Sequence, residues 1–379
     1  MTTRPRIAIA HDYLTQRGGA ERVVLAMHRA FPQAPIYTTL YNPETTFPDF
    51  ADAEIHVSPL NRLRVAREHH RAMLPVLAPV SSTLRVDAEL TIVSSTGWAH
   101  GFETTGKSLV YCHSPARFLH LRSQYLGNAS PLSLPSLALA ALRPALLRWD
   151  QRAAHRADKY LANSSIVAER IHRVYGIDAE VLFPPGGVDA DAEQRPVPEI
   201  ESWVSAQDER PYYLVVSRLM PYKKVDVVLE TFRLMPERRV VVVGRGPEAE
   251  RLAALAPDNA RLLSGLDDAQ MRWLYAHARA LIAPAFEDFG LTPLEAYAFG
   301  TPVLARRGGG YLDTVVDGLS GLFFDSSTVE DITAAVRAEA LSDWDRQAIV
   351  GHGSAFSEAR FSSALRAHAE HMLTGGRRS

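Results

Sequence analysis

The chain has 379 residues, 46% of them apolar and 22% charged, which is enough to bury two cores of about 150 to 200 residues each. Its 41 Lys and Arg residues nearly cancel its 43 Asp and Glu residues, so the net charge excludes a general attraction to nucleic acid. The single cysteine, Cys112, excludes an internal disulfide and any multi-cysteine zinc or iron–sulfur site.

Short apolar runs alternate with amphipathic helical patterns along the chain. The first half carries runs that predict strands at Ile7–Ala10, Leu90–Val93, Leu109–Tyr111, Tyr160–Ala162 and Val181–Phe183. The second half carries further runs at Tyr213–Val216, Val240–Val243, Leu281–Ala283 and Val303–Ala305. Such runs between helices are typical of parallel sheets buried on both faces. The predicted fold class is therefore α/β, with two Rossmann-like doubly wound domains.

The first predicted strand begins too close to Met1 for a signal sequence to precede it, and no run approaches the roughly 20 apolar residues of a membrane span. We therefore expect a cytoplasmic protein.

After the first predicted strand, Gly18 and Gly19 lead into a helical pattern at Glu21–Ala30. This glycine pair fits either a nucleotide at the helix start or a tight turn without a ligand. Asp12 and Glu21 are not paired as glycosidase carboxylates are, and we assign them no role.

Two segments of the first half indicate a membrane-facing surface. One is the basic stretch 61–71, which ends in His69, His70 and Arg71. The other is an apolar stripe beside Arg148, Arg152 and Arg156, formed by Leu142, Leu146, Trp149 and Ala153. Basic amphipathic helices can lie on anionic lipid, but such stripes also pack against a protein core. The sequence alone fits both interpretations.

After the strand at Leu109–Tyr111, His113 and Arg117 lie at a strand end, where open α/β sheets bind ligands. A single histidine at such a position is more often structural than functional. Periodicity is then lost over Pro184–Gly187 and Asp189–Glu201, which predicts a connection between domains near 187–208. The predicted domains are 1–186 and 187–359.

The second domain begins with a strand that ends at Val216 and is followed by Arg218 and Lys223. Arginine offers a planar fork and lysine a compact charge, so together they could neutralise a diphosphate leaving group without a metal. The same basic loop could also be ordinary solvated surface. The turn from Gly244 to Pro247 resembles part of a dinucleotide fingerprint, but it lacks the third glycine, and we expect a helix to start at Pro247.

The segment 287–295 follows the strand at Leu281–Ala283 and opens a helix. Thr292 is predicted as the N-cap, Pro293 as the first helical residue and Glu295 as the carboxylate of a capping box. Gly290 would let the backbone approach a phosphate at this helix start. The alternative is that Glu295 only caps the helix and that Glu287 is a solvated loop residue.

Taken together, these positions resemble the donor domain of family-four retaining glycosyltransferases, which have the GT-B fold. The residues that carry the resemblance, in chain order, are Arg218, Lys223, Gly244–Pro247, Glu287, Glu295 and Gly308–Gly310 before a helix. The resemblance implies that Arg218 and Lys223 hold the donor diphosphate, that Glu287 contacts the transferred sugar and that Glu295 contacts the nucleotide ribose.

The resemblance also implies nucleotide or sugar contacts from further positions: Gly18, Gly19, Gly244, Phe289, Gly290, Leu291 and Thr292. Lys224 departs from the pattern, because many members have glycine there. The first half of the chain resembles a mannosyltransferase-like branch of this family, which acts on bacterial polysaccharide and lipid-linked oligosaccharide precursors. The stretches that carry this resemblance are Tyr111–Arg117, His100–Gly101 and Ala162–Ser165.

The resemblance implies two domains facing a deep cleft, His113 near the reacting sugar, and a C-terminal helix within 360–379 that packs back on the first domain. It implies retaining transfer of a hexose, with mannose from GDP-mannose as the first choice and a UDP-sugar as the second. The acceptor would be a glycan or a polyprenyl-diphosphate-linked precursor at the inner face of the plasma membrane. Neither a cofactor nor a metal is implied.

Other functions fit the same two-domain architecture. A hydrolysing nucleotide-sugar epimerase would release nucleotide without an acceptor, and a non-enzymatic sensor would bind a nucleotide sugar without turnover. A phosphorylase using pyridoxal phosphate needs an aldimine lysine, which is hard to find among four lysines when Lys223 belongs to the donor site. The paired Glu287 and Glu295, with Arg218, favour transfer.

Overall fold

The computed structural model describes residues 6–68, 74–120, 134–204 and 210–375. The chain divides into two compact units, which we call unit 1 and unit 2. Unit 1 comprises Met1–Pro185 and Glu358–Ser379, and unit 2 comprises Gly186–Ser357. The connection that the sequence predicts near 187–208 lies in the first part of unit 2, and its last residues, 205–208, are outside the described residues.

Unit 1 is an α/β unit. Its strands are β1 (Ile7–His11), β2 (Ile36–Thr38), β3 (Ile55–Val57), β4 (Arg85–Val86), β5 (Leu90–Ser95), β6 (Glu103–Thr104), β7 (Lys107–Cys112), β8 (Lys159–Ala162) and β9 (Glu180–Val181). Its helices before the unit boundary are α1 (Gly19–Ala30), α2 (Arg64–Glu68), α3 (Leu74–Ser81), α4 (Arg117–His120), α5 (Leu134–Ala154) and α6 (Ser165–Tyr175).

Seven strands of unit 1 form one sheet in the order β3-β2-β1-β5-β7-β8-β9, and every pairing in it is parallel. The strand order reverses between β1 and β5, so the loops after these strands leave in opposite directions. In open α/β sheets this switch point is where ligands bind, at the carboxyl ends of the strands. His11 and Ser94 are register partners there.

Unit 2 repeats this architecture. Its strands are β10 (Tyr212–Val216), β11 (Val240–Val243), β12 (Ala260–Leu263), β13 (Ala278–Ala283), β14 (Val303–Arg306) and β15 (Gly321–Phe324). Its helices are α7 (Pro198–Trp203), α8 (Val225–Arg233), α9 (Ala249–Leu255), α10 (Asp268–His277), α11 (Thr292–Tyr297), α12 (Tyr311–Thr314), α13 (Val329–Ala340) and α14 (Arg346–Gly353). The sheet order is β12-β11-β10-β13-β14-β15, all parallel, with the switch point between β10 and β13.

The last helix, α15 (Glu358–Thr374), belongs to unit 1. One face of it packs beside α1 over the unit 1 sheet, and the buried residues of this face are Phe361, Leu365, Ala369 and Met372. Each large apolar side chain buried in this way contributes about 1.5 to 3 kcal/mol. The charged end of Arg366 also donates to the carbonyl of Ala30 at 3.0 Å, at the end of α1.

Local sequence signals set the ends of several helices. Ser164 accepts a hydrogen bond from the Val167 N–H at the start of α6, and Gly176 ends that helix in the left-handed conformation, with φ of 70°. Asp267 and Gln270 form a capping box at the start of α10. One expectation fails: the segment 189–201 contains the start of α7 at Pro198, because Ile200 is buried and gives this polar stretch an apolar anchor.

The predicted α/β class, with parallel sheets in two domains, is confirmed. All nine predicted strands are present, although the one predicted at Val181–Phe183 is shorter, begins one residue earlier and spans Glu180–Val181. Of the six strands without a prediction, four lie at the outer positions of the two sheets (β2, β3, β12 and β15), and β4 and β6 form a separate pair. No helix in the described part of the chain combines the length and the apolar character that crossing a membrane requires.

Candidate active site

The unit 2 switch point brings together two of the segments that the sequence singles out. Arg218 and Lys223 follow β10, and Glu287 follows the neighbouring strand β13. Parallel strands end at the same edge of a sheet, so the loops after β10 and β13 start side by side. This placement explains how residues 64 positions apart in the sequence come into contact.

Lys223 and Glu287 form a direct ion pair between Nζ and Oε1, and their side chains are only 10% and 18% exposed. The Lys223 ammonium also lies 5.1 Å from the centre of the Tyr222 ring, a cation–π contact. Arg218 is exposed and donates from Nη2 to the Tyr222 hydroxyl at 3.0 Å. Two cations, one carboxylate and one phenol therefore form a single group.

Glycines allow the loops around this group to pack closely. A side chain on Gly244 would collide with the carbonyl of Ser217, the residue before Arg218. Gly309 is left-handed, with φ of 63°, and a side chain there would collide with the carbonyl of Glu287. The next residue, Gly310, donates its N–H to that same carbonyl at 3.0 Å. Gly244, Gly309 and Gly310 thus allow the close backbone packing that positions Arg218 and Glu287.

The predicted capping box at the start of α11 is wrong. The residue before the helix is Leu291, so Thr292 and Pro293 are the first helical residues, and no side chain caps the helix start. Glu295 instead accepts a hydrogen bond from the Tyr275 hydroxyl at 2.5 Å. The phenol donor from α10 competes for the carboxylate that the local pattern assigns to the backbone, and tertiary contact overrides the local signal.

The residues between Glu287 and α11 have different surroundings. Phe289 is buried, and its ring lies 6.4 Å from that of Phe356, so only its backbone is available to a ligand. Gly290 has φ of 82°, and a side chain there would meet the ring of Tyr311. Leu291 and Thr292 are partly exposed. Burial and the Glu287 charge raise the pKa of Tyr311, so this phenol stays neutral.

Lys224, which departs from the family pattern, has φ of 57° and ψ of 29°. It is the one non-glycine residue with a positive φ among the residues that the structure describes. This conformation costs an L-residue about 1 to 2 kcal/mol, and glycine adopts it without that cost. The backbone at this position therefore favours glycine over lysine.

In unit 1, three strand ends form a hydrogen-bonded chain of side chains. His11 Nδ1 lies 3.0 Å from the Ser94 Oγ, and Ser94 Oγ lies 2.9 Å from His113 Nε2. Burial, with the neighbouring His11 and Arg117, lowers the pKa of His113 from 6.5 to about 3. Burial also lowers the pKa of His11, and this outweighs the opposing effect of Asp12. Both imidazoles are neutral at pH 7.

Asp12 is fully buried and its carboxylate is occupied by the loop after β5. One oxygen accepts from the N–H and hydroxyl of Thr96, and the other accepts from the N–H groups of Trp98 and Ala99, each at 2.7 Å. A carboxylate with four donors has no capacity left for a substrate. Asp12 therefore organises the loop, which gives a structural role to a residue that the sequence leaves unassigned.

The glycine pair at the start of α1 has a carboxylate beside it. Gly18 is the N-cap and Gly19 the first residue of a helix that starts two residues earlier than predicted. Glu21 is buried in the first turn, and its carboxylate folds against Gly18, where it would collide with any side chain. Nucleotide contact at Gly18 and Gly19 stays a prediction, and the nearby carboxylate would oppose a phosphate.

A second buried cluster lies behind the unit 1 strand ends. His100 Nε2 lies 3.1 Å from one oxygen of Asp150, and His120 Nε2 lies 2.8 Å from the other. Tyr175 donates its hydroxyl to Asp150 at 3.0 Å. Burial raises the pKa of the Asp150 carboxyl, but the two histidines outweigh this effect and hold it at about 2.

The apolar stripe on α5 packs mostly inward. Leu146 and Ala153 are buried, and Trp149 packs against the core and donates from Nε1 to the Ser82 hydroxyl at 2.8 Å. Only Leu142 is largely exposed. In the other predicted membrane segment, His69, His70 and Arg71 lie outside the described residues.

Sequence reasoning missed three residues whose side chains hydrogen-bond to predicted site residues: Ser94, Tyr222 and Tyr275. Tyr222 lies between Arg218 and Lys223 in the sequence, so its position beside two predicted site residues could have identified it. Ser94 could be found from strand register, because it is opposite His11 and Tyr111, and His113 follows Tyr111 by two residues, just past the end of β7. Nothing in the local sequence marks Tyr275.

Comparisons with known proteins cover both units. Residues 17–192 match the family model described as Glycosyltransferase Family 4, and residues 198–352 match the one described as Glycosyl transferases group 1. The sucrose-phosphate synthase of Thermosynechococcus elongatus superposes with a TM-score of 0.72 at 16% identity, covering 98% of this chain and 100% of that one. Anabaena HepE in complex with UDP gives 0.66 at 15% identity, covering 96% and 99%. These likenesses show that the chain has the GT-B fold.

Among relatives in sequence, the GDP-mannose-dependent alpha-(1-6)-phosphatidylinositol monomannoside mannosyltransferase of Mycolicibacterium smegmatis is 30% identical over 221 residues. The match covers 53% of this chain and 57% of the relative. The chain thus spans little more than half the length of that relative.

Proposed function

This chain belongs to the glycosyltransferases that join a Family 4 region to a group 1 region, and on that premise we propose that it is a retaining hexosyltransferase. It takes a hexose from a nucleotide-diphosphate sugar and transfers it to a glycan or a polyprenyl-diphosphate-linked acceptor. The proposed setting is the synthesis of bacterial cell-surface polysaccharide, on the cytoplasmic side of the plasma membrane.

The observation that carries this proposal is the group formed by Arg218, Lys223 and Glu287 at the unit 2 switch point. Arg218 is exposed, so its guanidinium is available to diphosphate oxygens in bidentate geometry. Lys223 adds a second cation whose ammonium is already desolvated, which strengthens its attraction to an incoming phosphate. Glu287 keeps one carboxylate oxygen without a partner among the described residues, and this oxygen would accept from a sugar hydroxyl.

Mannose from GDP-mannose is the first choice of donor. Its support is the Mycolicibacterium smegmatis relative, which is a GDP-mannose-dependent mannosyltransferase. A UDP-sugar is the second choice, since Anabaena HepE has been crystallised with UDP. Glu295, held by Tyr275, is proposed to contact the ribose that both donors share. It therefore does not discriminate between them.

In the proposed reaction, the bond from the anomeric carbon to the diphosphate oxygen breaks, and a bond to the acceptor oxygen forms on the same face of the sugar. The departing phosphate oxygen takes the proton of the acceptor hydroxyl, so no protein carboxylate is needed as a nucleophile. Arg218 and Lys223 stabilise the charge that develops on the diphosphate, and Glu287 and His113 position the sugar. We propose that no metal is required.

The test measures release of nucleoside diphosphate from GDP-, UDP- and ADP-sugars, each with and without a bacterial membrane extract as a source of acceptor. Release from one donor that needs the extract, and that Glu287→Gln loses, is the expected result. The same assay in EDTA should give the same rate. Release without extract would point to a hydrolysing epimerase, and donor binding without any release would point to a nucleotide-sugar sensor. Either outcome would overturn the transferase proposal.

Peripheral contact with the membrane is the second part of the proposal. The segment around α2 leaves two apolar side chains exposed, Leu63 at 55% and Val65 at 64%, beside the exposed arginines Arg62 and Arg64. Apolar side chains flanked by basic ones bind anionic lipid surfaces. Since most of the α5 stripe packs inward, this segment is the better candidate for such contact.

Sedimentation with vesicles tests the membrane contact. The protein should sediment with vesicles that contain an anionic phospholipid, less so at high salt, and should ignore vesicles of neutral lipid. Leu63→Ser with Val65→Ser should abolish sedimentation, whereas Leu341→Ser, at an exposed leucine of unit 2, should not. Equal sedimentation of all three proteins would reject this surface.

A further inference from the structure

The strand ends of unit 1 carry a hydrogen-bond chain whose proton positions can be worked out. His11 Nδ1 lies 3.0 Å from the backbone carbonyl oxygen of Ser94 and 3.0 Å from its hydroxyl. A carbonyl oxygen can only accept, so the Nδ1 atom of His11 carries a hydrogen. That hydrogen is shared between the carbonyl and the hydroxyl of Ser94, and His11 acts as the donor to both.

The direction of the next hydrogen bond follows. Because His11 donates to Ser94 Oγ, the hydroxyl proton of Ser94 cannot point back at His11. Ser94 is fully buried, and its hydroxyl also lies 2.9 Å from His113 Nε2. A buried hydroxyl proton without an acceptor costs about 1 to 3 kcal/mol, so this proton is donated to His113. The Nε2 atom of His113 is therefore an acceptor and carries no hydrogen.

A neutral imidazole with an unprotonated Nε2 has its hydrogen on Nδ1. His113 is neutral at pH 7, since its pKa lies far below that value. The Nδ1 atom has no hydrogen-bond partner among the described residues, and His113 is only half-buried. The ring is held edge to face against Tyr111, with centres 5.2 Å apart, so its orientation is set by packing as well as by Ser94.

We propose that Ser94 and His11 are positioning residues that fix His113 in the Nδ1–H tautomer, so that it presents a hydrogen-bond donor to an oxygen of the sugar. This inference rests on the proposed function for the identity of the ligand, but not for the tautomer itself. In the other tautomer, Nδ1 would be an acceptor, and only a hydroxyl could bind it. As a donor it also binds ring and glycosidic oxygens, which have no hydrogen to give.

The tautomer can be measured directly, without any ligand or activity. Histidine labelled with ¹⁵N gives different long-range proton–nitrogen patterns for the Nδ1–H and Nε2–H forms, and His113→Gln identifies the signals of His113. The expected result for the parent chain at pH 7 is the Nδ1–H form. A hydrogen on Nε2 in the parent chain would overturn the inference regardless of how any variant behaves.

Ser94→Ala removes the hydroxyl with little change in volume. It should move His113 toward the Nε2–H form or a mixture of both forms, and should lower kcat by about tenfold, the kinetic equivalent of one hydrogen bond. The matched control is Ser95→Ala, the next residue on β5, whose hydroxyl lies 3.1 Å from His100 instead. This control should leave the His113 tautomer as it is in the parent chain.

The two arms separate this inference from the proposed function. If Ser94→Ala folds, as judged by circular dichroism, and keeps the parent tautomer, the inference fails even where sugar transfer is observed. If the tautomer shifts as expected but no donor is turned over by the parent chain, the proposed function fails and the tautomer assignment stands. A shift in tautomer with unchanged kcat and KM would remove His113 from contact with the sugar.

Discussion

Asp12 and Glu287 are carboxylates at the switch points of the two doubly wound sheets, Asp12 after β1 in unit 1 and Glu287 after β13 in unit 2. Asp12 accepts four hydrogen bonds from the loop after β5 and is fully buried. Glu287 pairs with Lys223 through one oxygen and has no partner for the other among the described residues. Both carboxylates therefore lie at a switch point, and the hydrogen-bonding capacity that remains to each one separates a structural carboxylate from one available to a ligand.

The same contrast extends to the neighbours of each carboxylate. Around Glu287 the groups are charged and partly open to solvent, with Arg218 exposed and Lys223 held by a single ion pair. Around Asp12 the groups are neutral, because burial lowers the pKa values of His11 and His113. Unit 2 thus has charge to offer an anionic ligand, and unit 1 has directed hydrogen bonds.

The largest expected effect is on the rate of transfer, and it tests the Glu287 side of this comparison. Glu287→Gln keeps an oxygen for Lys223 but removes the negative charge, so we expect kcat to fall by about 10² to 10³-fold. The urea midpoint should also fall, since the nearly buried Lys223 ammonium loses its counter-charge, and circular dichroism checks that the variant is folded at the assay temperature. Glu230→Gln, at an exposed position on α8, is the control and should keep the parent rate. A folded Glu287→Gln with full activity would place Glu287 outside the site.

The second effect is on stability, on the Asp12 side. Asp12→Asn puts an amide NH₂ where the carboxylate accepts from backbone N–H groups, so donors face donors and at least two are left unpaired. We expect a loss of about 3 kcal/mol in the free energy of unfolding, measured by urea denaturation. Asp49→Asn, which breaks an exposed ion pair with Arg29, should cost under about 1 kcal/mol. Equal losses would show that the Asp12 bonds carry no special weight.

How much of this structure the sequence predicts depends on whether a feature is determined by residues that are close together in the chain. The central strands of both sheets are continuous apolar runs, and the sequence predicts them. Most of the strands that it does not predict are short outer strands with mixed burial, such as Ile55–Val57. The grouping of Arg218, Lys223 and Glu287 in unit 2 can be predicted because each of them follows the end of a strand that the sequence predicts. Glu287 and Lys223 come together only because β10 and β13 pair, which the doubly wound pattern itself implies.

The unit 1 network is not local and could not be predicted in the same way. Ser94 connects His11 and His113 only through the register of three strands, and a shift of one residue would point it to the other face. The start of α11 fails for a related reason. The local pattern assigns Glu295 to a capping box, but Tyr275 from another helix takes its carboxylate. Long-range partners decide what a polar side chain does.

The third prediction tests whether the unit 1 strand end is neutral. Folding lowers the His113 pKa from 6.5 to about 3, so between these values the unfolded chain binds more protons than the native one. Stability therefore falls as the pH drops through this window. Between pH 7 and pH 5 we expect His113→Gln to lose less stability than the parent chain, by on the order of 1 to 2 kcal/mol.

Urea midpoints at the two pH values give this difference. The control is His155→Gln, at an exposed histidine of the same unit, which should behave as the parent chain does. If His113→Gln and the parent chain lost the same stability on acidification, His113 would be as easily protonated in the native state as in the unfolded one. The contrast between a charged unit 2 site and a neutral unit 1 strand end would then fail.

The smallest expected effect concerns the backbone beside the unit 2 group. Lys224 is left-handed, and relief of about 1 to 2 kcal/mol of strain by glycine exceeds the roughly 0.5 to 1 kcal/mol that glycine costs through unfolded-state freedom. Lys224→Gly should therefore raise the free energy of unfolding by about 0.5 to 1 kcal/mol. Lys224→Ala keeps the strained conformation and should give no gain. A gain from alanine equal to that from glycine would assign the effect to the lysine charge next to Lys223, and not to the backbone.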